Sequence, residues 1–215
     1  MASPHDVRAY WTFVRQGLAK WDQTASFVPS QRFLVAAMVH GARPERARTI
    51  VELGPGAGVI TKPLLARMRP DARLYTIEID PDIHAQLVRA VVDPRLVPIC
   101  GTAEHIGELL KEHGHDGPVD AVVSALGMSL IPPAVRDRIG DSIERVLAPG
   151  GVYVQFGYLH TRFLVYSTER GFVPFDYRGW LEGRFEHVLR RAVPLNLPPA
   201  WVFESRAPRR PSDRP

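Results

Sequence analysis

Cysteine is nearly absent: Cys100 stands alone in a chain of 215 residues. That excludes a disulfide framework and a cysteine metal cluster, and it suits a reducing cytoplasm. No apolar run approaches the roughly 20 residues that a membrane-spanning helix needs. The opening "MASPHDVRAYWTF" has no continuous apolar core of the signal-peptide kind. His105, His113 and His115 lack metal-ligand spacing, and no metal is expected. Charge of one sign is scarce too: 27 basic against 23 acidic residues leave a formal net charge of +4. So small an excess is compatible with an anionic partner, a membrane surface or RNA, and equally with ordinary solubilising charge. What is present is an ordinary globular composition, 45% apolar, in a length that suits one domain with a sizeable core. No internal repeat or linker divides it.

Hydrophobic periodicity sets out the elements. Residues 4–23 read as an amphipathic helix, because Val7, Tyr10, Trp11, Val14, Leu18 and Trp21 recur at intervals of three or four. Ser3 can cap it, Pro4 suits its first turn and Asp6 suits its dipole. Ser30 caps a second, short helix to about residue 39. A strand over 48–53 leads into a glycine turn and a helix to about residue 68. Further strands are predicted at "RLYTIEI", "RLVPIC", "VDAVVSAL" and "VYVQFGY", with helices between them and "APGG" as the turn ahead of the fifth. This alternation predicts an α/β fold with a mostly parallel sheet covered on both faces. The ending differs. "RFEHVLRRAVPL" and "WVFESRAP" are strand-like runs joined by "NLPP", and so short a link pairs them antiparallel. Three regions result: a helical segment over 1–29, the α/β domain over 30–207, and a polar, proline-rich tail over 208–215 expected to be disordered.

The glycine turn carries the chemistry. Within "TIVELGPGAGVITKPLL", residues 49–65, Gly54, Gly56 and Gly58 are spaced G-x-G-x-G. The dinucleotide fingerprint G-x-G-x-x-G puts its third glycine where Val59 stands. A purely structural tight turn would use the same glycines. The context favours a ligand. Glu52 lies just ahead of the turn, and Glu78 ends the second strand about 20 residues on, where an acid can accept from both ribose hydroxyls. No basic cluster stands at the turn for a pyrophosphate, although backbone amides can hold one unaided. A ribose-bearing ligand with a zwitterionic tail, such as S-adenosylmethionine, fits these residues better.

In "VELGPGAG", "IEID" and "LAPGGVYVQF" the sequence resembles the class I S-adenosylmethionine-dependent methyltransferases, over about residues 30–207. The resemblance implies a Rossmann-like, seven-stranded, mostly parallel sheet with an antiparallel last strand, here with N-terminal amphipathic helices. It implies S-adenosylmethionine as cofactor and S-adenosylhomocysteine as its product. Glu52 and the backbone at Gly54 and Gly56 would receive the methionyl tail. Glu78 would bind the ribose, Ile79 would pack on the adenine, and the backbone of Thr102 and Ala103 would border that ring. Ser124 would lie beside the sulfonium and methyl; a strand-end serine bonded to backbone is the alternative.

Two subfamilies share "ELGPG". The rRNA adenine dimethyltransferases carry an Asn-Leu-Pro-Tyr-like motif after the fourth strand. Here that place reads "SALGMSLIPP", with no Asn or Asp and no Pro-Pro-aromatic, and the length leaves no room for their extra RNA-binding domain. The bacterial phospholipid N-methyltransferases are similar in "PSQRFLVAAM", "VELGPGAGVIT", "SALGMSLIP", "LAPGGVYVQFGY" and "NLPPAWVF". That resemblance implies methylation of phosphatidylethanolamine, and its mono- and dimethyl forms, toward phosphatidylcholine. The enzyme would be cytoplasmic and peripheral on the inner face of the membrane, with no nucleic-acid partner. An rRNA adenine or small-molecule N-methyltransferase is the alternative. The number of methyl groups added and the oligomeric state stay open.

A lipid headgroup lies at the bilayer surface, and the first helix suits that place. Tyr10, Trp11, Leu18 and Trp21 lie on its apolar stripe, with Arg8, Arg15 and Lys20 on or near the flanks. Such helices bind in the interfacial plane of anionic membranes. Packing on its own domain is the alternative, and the two are compatible. A primary amine with a pKa of roughly 10 must shed its proton before it attacks a methyl group. The methylated headgroup is a cation suited to aromatic faces, and a lipid phosphate needs Arg or Lys. The long connection "GYLHTRFLVYSTERGFVPFDYRGW" shows no helix periodicity. It offers Tyr158 and Tyr177 for the ammonium, Arg162 or Arg178 for the phosphate, and His160 as proton acceptor.

Overall fold

The computed structural model describes residues 31–159, 165–167, 171–173 and 175–209. The helix predicted over 4–23 lies outside the described residues, with Arg8, Tyr10, Trp11, Arg15, Leu18, Lys20 and Trp21. So do His160 and Arg162.

Helix α1 (Gln31–Ala42) leads into β1 (Thr49–Leu53), α2 (Thr61–Arg67), β2 (Arg73–Glu78), α3 (Pro81–Ala90) and β3 (Leu96–Cys100). Then come α4 (Ile106–Glu112), β4 (Val119–Ser124), α5 (Pro133–Val146) and β5 (Leu147–Tyr158). A short hairpin of β6 (Val165–Ser167) and β7 (Gly171–Val173), helix α6 (Tyr177–Glu182), β8 (Phe185–Val193) and β9 (Ala200–Pro208) complete the chain. Local chemistry explains the boundaries. Asp80 caps α3, its Oδ1 accepting from the N–H groups of Asp82 (2.9 Å) and Ile83 (3.3 Å), and Pro81 occupies the first turn. The carboxylate of Asp120 accepts from the N–H groups of Arg48 (2.8 Å) and Thr49 (2.9 Å) and so anchors the start of β1.

The seven-stranded sheet has the order β3-β2-β1-β4-β5-β9-β8, and β9 alone runs against the others. The predicted fold and the antiparallel ending are therefore observed. Central strands are buried on both faces, which is why β1 and β4 are mostly apolar along their length, apart from the acids Glu52 and Asp120. Met38, Ile50, Leu64, Leu74, Leu87 and Val154 form the core on one face; Leu53, Ile99, Ile106, Val122, Ile143 and Tyr153 form it on the other.

Three expectations need correction. "APGG" is not a turn ahead of the fifth strand but part of β5, which runs twelve residues with a register shift against Val119 and Ala121 of β4. Gly151 permits this, since a Cβ there would stand 2.9 Å from the carbonyl oxygen of Ala148. The connection after β5 is not featureless: it holds the β6–β7 hairpin and α6. Order also runs past the predicted end of the domain. Pro208 pairs with Phe185, and the N–H of Arg209 donates to the carbonyl of Arg184 at 2.7 Å.

Arg184 fastens α5 to the segment between α6 and β8. Its Nη1 donates to Asp141 (2.8 Å) and Glu144 (2.7 Å), and its Nη2 to Asp137 (2.9 Å). The residue is only 6% exposed. Burial alone would disfavour its charge, but the hydrogen bonds to three carboxylates reverse that and hold it firmly protonated. Gly140 makes the space: a Cβ there would lie 2.7 Å from the guanidinium carbon. Arg184→Met is expected to remove the charge that Asp137, Asp141 and Glu144 share and to cost about 3–5 kcal/mol. A thermal melt should show a fall in midpoint on the order of 10 °C; an unchanged melt would remove the clamp from the stability of the fold.

Candidate functional site

The C-terminal ends of the parallel strands meet at one edge of the sheet, where open α/β folds bind ligands. The turn after β1 has Gly54 at φ 69°, Gly56 at φ 53° and Gly58 at φ 85°, all in the left-handed region that favours glycine. A Cβ on Gly54 would stand 2.8 Å from Cδ2 of Leu126, in the loop after β4. One on Gly58 would stand 3.1 Å from Leu87 of α3 and from Val91. Close helix packing, which the dinucleotide pattern gives to its third glycine, is thus supplied by Gly58, and Val59 is exposed.

Two buried carboxylates face this turn. Glu52 is fully buried; its Oε2 accepts from the Thr61 hydroxyl at 2.7 Å, while Oε1 has no partner among the described residues. Burial, with a further push from the charge of Glu78, raises its pKa to about 8 against the bonding of Thr61. Glu78 is 2% exposed, and its Oε1 accepts from the N–H of Asp80 at 3.1 Å. Its Oε2 is likewise unpartnered. Burial raises its pKa also, opposed by the N–H groups of Asp80, Gly56 and Ile79. Two acids, each with an unpartnered buried oxygen, are chemically matched to a ligand that brings an ammonium and hydroxyl donors. S-adenosylmethionine has both, so the residues present fit it.

The other predicted cofactor residues border the same edge. Ile79 is half-buried beside Glu78. Thr102 caps the turn after β3, its hydroxyl accepting from the N–H of Glu104 at 3.4 Å, and Ala103 is buried behind it. Ser124 is fully buried, and its hydroxyl accepts from the N–H of Leu126 at 3.3 Å, the alternative foreseen for it.

Sequence reasoning missed the polar network beneath the loop after β4. The Tyr153 hydroxyl donates to Gln155 Oε1 at 2.8 Å, and Gln155 Nε2 donates to the carbonyls of Leu126 (3.1 Å) and Phe156 (2.7 Å). Tyr177 Oη accepts from the N–H of Ser129 at 3.0 Å, and burial raises its pKa. Arg136 donates to the carbonyls of Met128 and Ile131 at 3.3 and 3.4 Å, and its guanidinium lies 4.0 Å from the Phe175 ring centroid. Their sequence neighbours gave no sign of these partners.

Beside this loop, at the end of β5, opens a cleft of about 440 Å³. Phe175, Tyr177, Trp201 and Phe203 line it with aromatic surface; Asp176, Arg178 and Arg190 bring charge. Arg190 lies 4.1 Å over the Trp201 ring, and Arg178 pairs with Glu182 at 2.6 Å. Tyr158 and Tyr177 both line the cleft, from opposite faces of β5. Alternation along β5 points Gly157 at Tyr177 and turns Tyr158 to the opposite face, where its ring meets Phe156 edge-on at 5.3 Å. Arg178 and Tyr177 stay at the cleft, and Arg190 joins them without having been foreseen there.

Comparison with known proteins accords with this geometry. Residues 50–151 match the family described as "Methyltransferase domain". The chain is 32% identical over 199 residues to the ornithine lipid N-methyltransferase of Singulisphaera acidiphila, a match spanning 92% of this chain and 95% of that protein. It is 41% identical to ribosomal RNA small subunit methyltransferase A of Thiobacillus denitrificans, but over 70 residues only, 33% of this chain and 26% of that one. Its fold is similar to that of the 1,6-didemethyltoxoflavin N1-methyltransferase of Burkholderia thailandensis, solved with S-adenosylhomocysteine bound. The TM-score is 0.66 at 15% identity, over 96% of this chain and 91% of that one.

Two measurements test the acids. Because free Glu52 titrates near 8, a cationic group binding to it displaces a proton below that pH. Calorimetric affinity for S-adenosylmethionine should rise between pH 6 and 8, by up to about tenfold per unit, and level off above. Glu52→Gln should flatten the slope. In the ligand-free protein the sign is opposite: a pKa raised from 4.5 to about 8 gives stability present below 4.5 and lost as pH climbs through 8. Separately, Glu78→Ala should weaken the cofactor by about 1.5–3 kcal/mol through loss of charged hydrogen bonds. Unchanged affinity in a folded variant would take Glu78 out of the site.

Proposed function

The chain belongs to the class I S-adenosylmethionine-dependent methyltransferases, and from that premise we propose that it methylates the primary amine of a lipid headgroup at a membrane surface. The cleft beside β5 carries this reading: it joins aromatic walls to two arginines, next to the edge that receives the cofactor. The relative in Singulisphaera acidiphila, named for a lipid amine substrate, supports it. Phosphatidylethanolamine and its partly methylated forms are the substrates the sequence resemblance points to, and ornithine lipid is the one that relative's name gives. Both join an amine to an anionic group.

In this reading the unpartnered oxygen of Glu52 and the backbone at Gly54 and Gly56 hold the methionyl tail, and Glu78 holds the ribose. Ile79, Thr102 and Ala103 border the adenine, with Ser124 below the loop that faces the sulfur. S-adenosylmethionine supplies an electrophilic methyl group. The chain's own residues place and deprotonate the amine. Arg190 and Arg178 hold the headgroup anion, Arg190 braced on Trp201. Phe175, Tyr177 and Trp201 remove water from the ammonium, which lowers its pKa and frees the lone pair. His160, outside the described residues, is the proton acceptor the connection offers. After each transfer the nitrogen is a cation, and the aromatic walls favour it by about 0.5–2 kcal/mol per face. Tyr158 lines the cleft with them, at the end of β5. No described helix is long and apolar enough to cross a membrane. In this reading the enzyme meets its substrate as a peripheral protein, with the segment over 1–29 as its interfacial helix.

The deciding assay offers labelled S-adenosylmethionine with vesicles of phosphatidylethanolamine, vesicles of ornithine lipid, and ribosomal RNA. Label should enter a lipid. Arg190→Gln should raise the lipid KM roughly tenfold, the loss of a charge-assisted contact, with cofactor affinity unchanged. Label entering RNA alone would overturn the proposal.

A further inference from the structure

The turn between β8 and β9 carries apolar side chains where a solvent-facing turn carries polar ones. Leu195 is 65% exposed and Leu197 68%, and between them Asn196 is fully buried. The Asn196 N–H donates to the Val193 carbonyl at 3.3 Å and its Nδ2 to the Pro198 carbonyl at 2.7 Å. The buried amide thus shapes a fixed turn that holds both leucines outward. This is the "NLPP" phrase, and neither the cofactor site nor the cleft uses it.

The position of the turn gives the exposure a meaning. Because β9 is antiparallel to β5, Tyr158 faces Ala200, and the N–H of Leu159 donates to the Pro199 carbonyl at 3.0 Å. The tip therefore stands at the same edge of the sheet as the glycine turn and the cleft mouth. Three other exposed apolar residues lie in loops of that edge: Val59 after β1, Leu130 after β4 and Leu159 after β5. Behind the tip, β8 bears Arg190 over Trp201 and Arg191 beside Glu204 at 3.6 Å.

We propose that the β8–β9 tip is a membrane-docking wedge, whose Leu195 and Leu197 enter the headgroup region of an anionic bilayer while Arg190 and Arg191 face its charge. This rests on the lipid reading above. With the tip inserted about 5–10 Å, arginines four and five residues back along a strand rising about 3.3 Å per residue lie within roughly one Debye length of the surface charge. A convex tip of two leucines is far short of the roughly 1,000 Å² that a specific protein interface buries, whereas a fluid bilayer accepts a wedge of any shape. Docking at this edge would bring the cleft mouth down onto the headgroups.

The sole cysteine allows a direct test in the full-length protein. In a Cys100→Ser background, Leu195→Cys is labelled with an environment-sensitive fluorophore and mixed with phosphatidylglycerol-containing vesicles. The emission should shift to the blue and be quenched by lipids carrying shallow nitroxides. In unlabelled protein, the double variant Leu195→Ser/Leu197→Ser should keep its melting temperature, its cofactor affinity and its turnover of a water-soluble short-chain aminolipid. Its partition onto vesicles and its turnover there should fall roughly tenfold or more. A fluorophore that stays in water while the protein sediments with vesicles would overturn the proposal. So would a double variant that partitions like wild type, or leucine-dependent dimers in light scattering. If the probe inserts but no lipid is ever methylated, docking stands and the functional reading fails.

Discussion

Glu52 and Glu78 stand fully or almost fully buried at the ends of adjacent strands, each with one oxygen that no described residue satisfies. An isolated buried carboxylate is costly, and two close together cost more. Protonation relieves this, and burial favours the protonated form of each, most of all at Glu52, whose pKa rises to about 8. A ligand that brings one positive group and two hydroxyls relieves it better. The surrounding architecture serves this arrangement. Glycines with positive φ leave the space above it open, Thr61 at the start of α2 holds one oxygen of Glu52, and the cap at Asp80 turns the chain beside Glu78.

The same constraint reaches the cleft through the loop after β4. Leu126 of that loop covers Gly54, and its carbonyl is held by Gln155 of β5. Three residues on, the N–H of Ser129 is held by Tyr177, whose ring lies against Gly157 of β5 and lines the cleft. One short loop therefore touches the cofactor turn on one side and the substrate cleft on the other. Its conformation is set by buried polar partners, which are strong because competing water is excluded. Tyr177 and the cofactor turn are thus joined through one hydrogen bond, the short loop segment from Ser129 back to Leu126, and the packed leucine.

Much of the cofactor side was legible because its signals are local. Gly54, Gly56 and Gly58 sit together in sequence, and Glu78 follows at a spacing set by one helix and one strand. The position of the fingerprint's third glycine is held by Val59, and the packing against α3 is made one residue earlier, by Gly58. The cleft was only half legible. Tyr177, Arg178 and Tyr158 come from one connection and all line the cleft, yet period-two alternation sets the Tyr158 ring on the other face of β5 from Tyr177. The partners that fix the site are distant: Gln155 and Leu126 are 29 residues apart, Ser129 and Tyr177 are 48, and Arg184 and Asp137 are 47. Propensity and periodicity do not report contacts at such range.

The reversed last strand explains how three separate demands meet at one edge. In a wholly parallel sheet, strands are joined by crossovers, and the link that follows a strand's C-terminal end returns over a face of the sheet. Here β8 runs toward the C-terminal edge and β9 runs back from it, so their turn projects from that edge with no described helix over it. Reversal also brings Trp201 and Phe203 of β9 beside Gly157 at the end of β5, which makes the aromatic floor of the cleft. The buried acids, the aromatic cleft and the exposed leucines thus face one way. If the proposed lipid substrate is anchored in a plane, the cofactor and the proposed membrane contact must share an edge, and the antiparallel strand is the step in topology that would put them there.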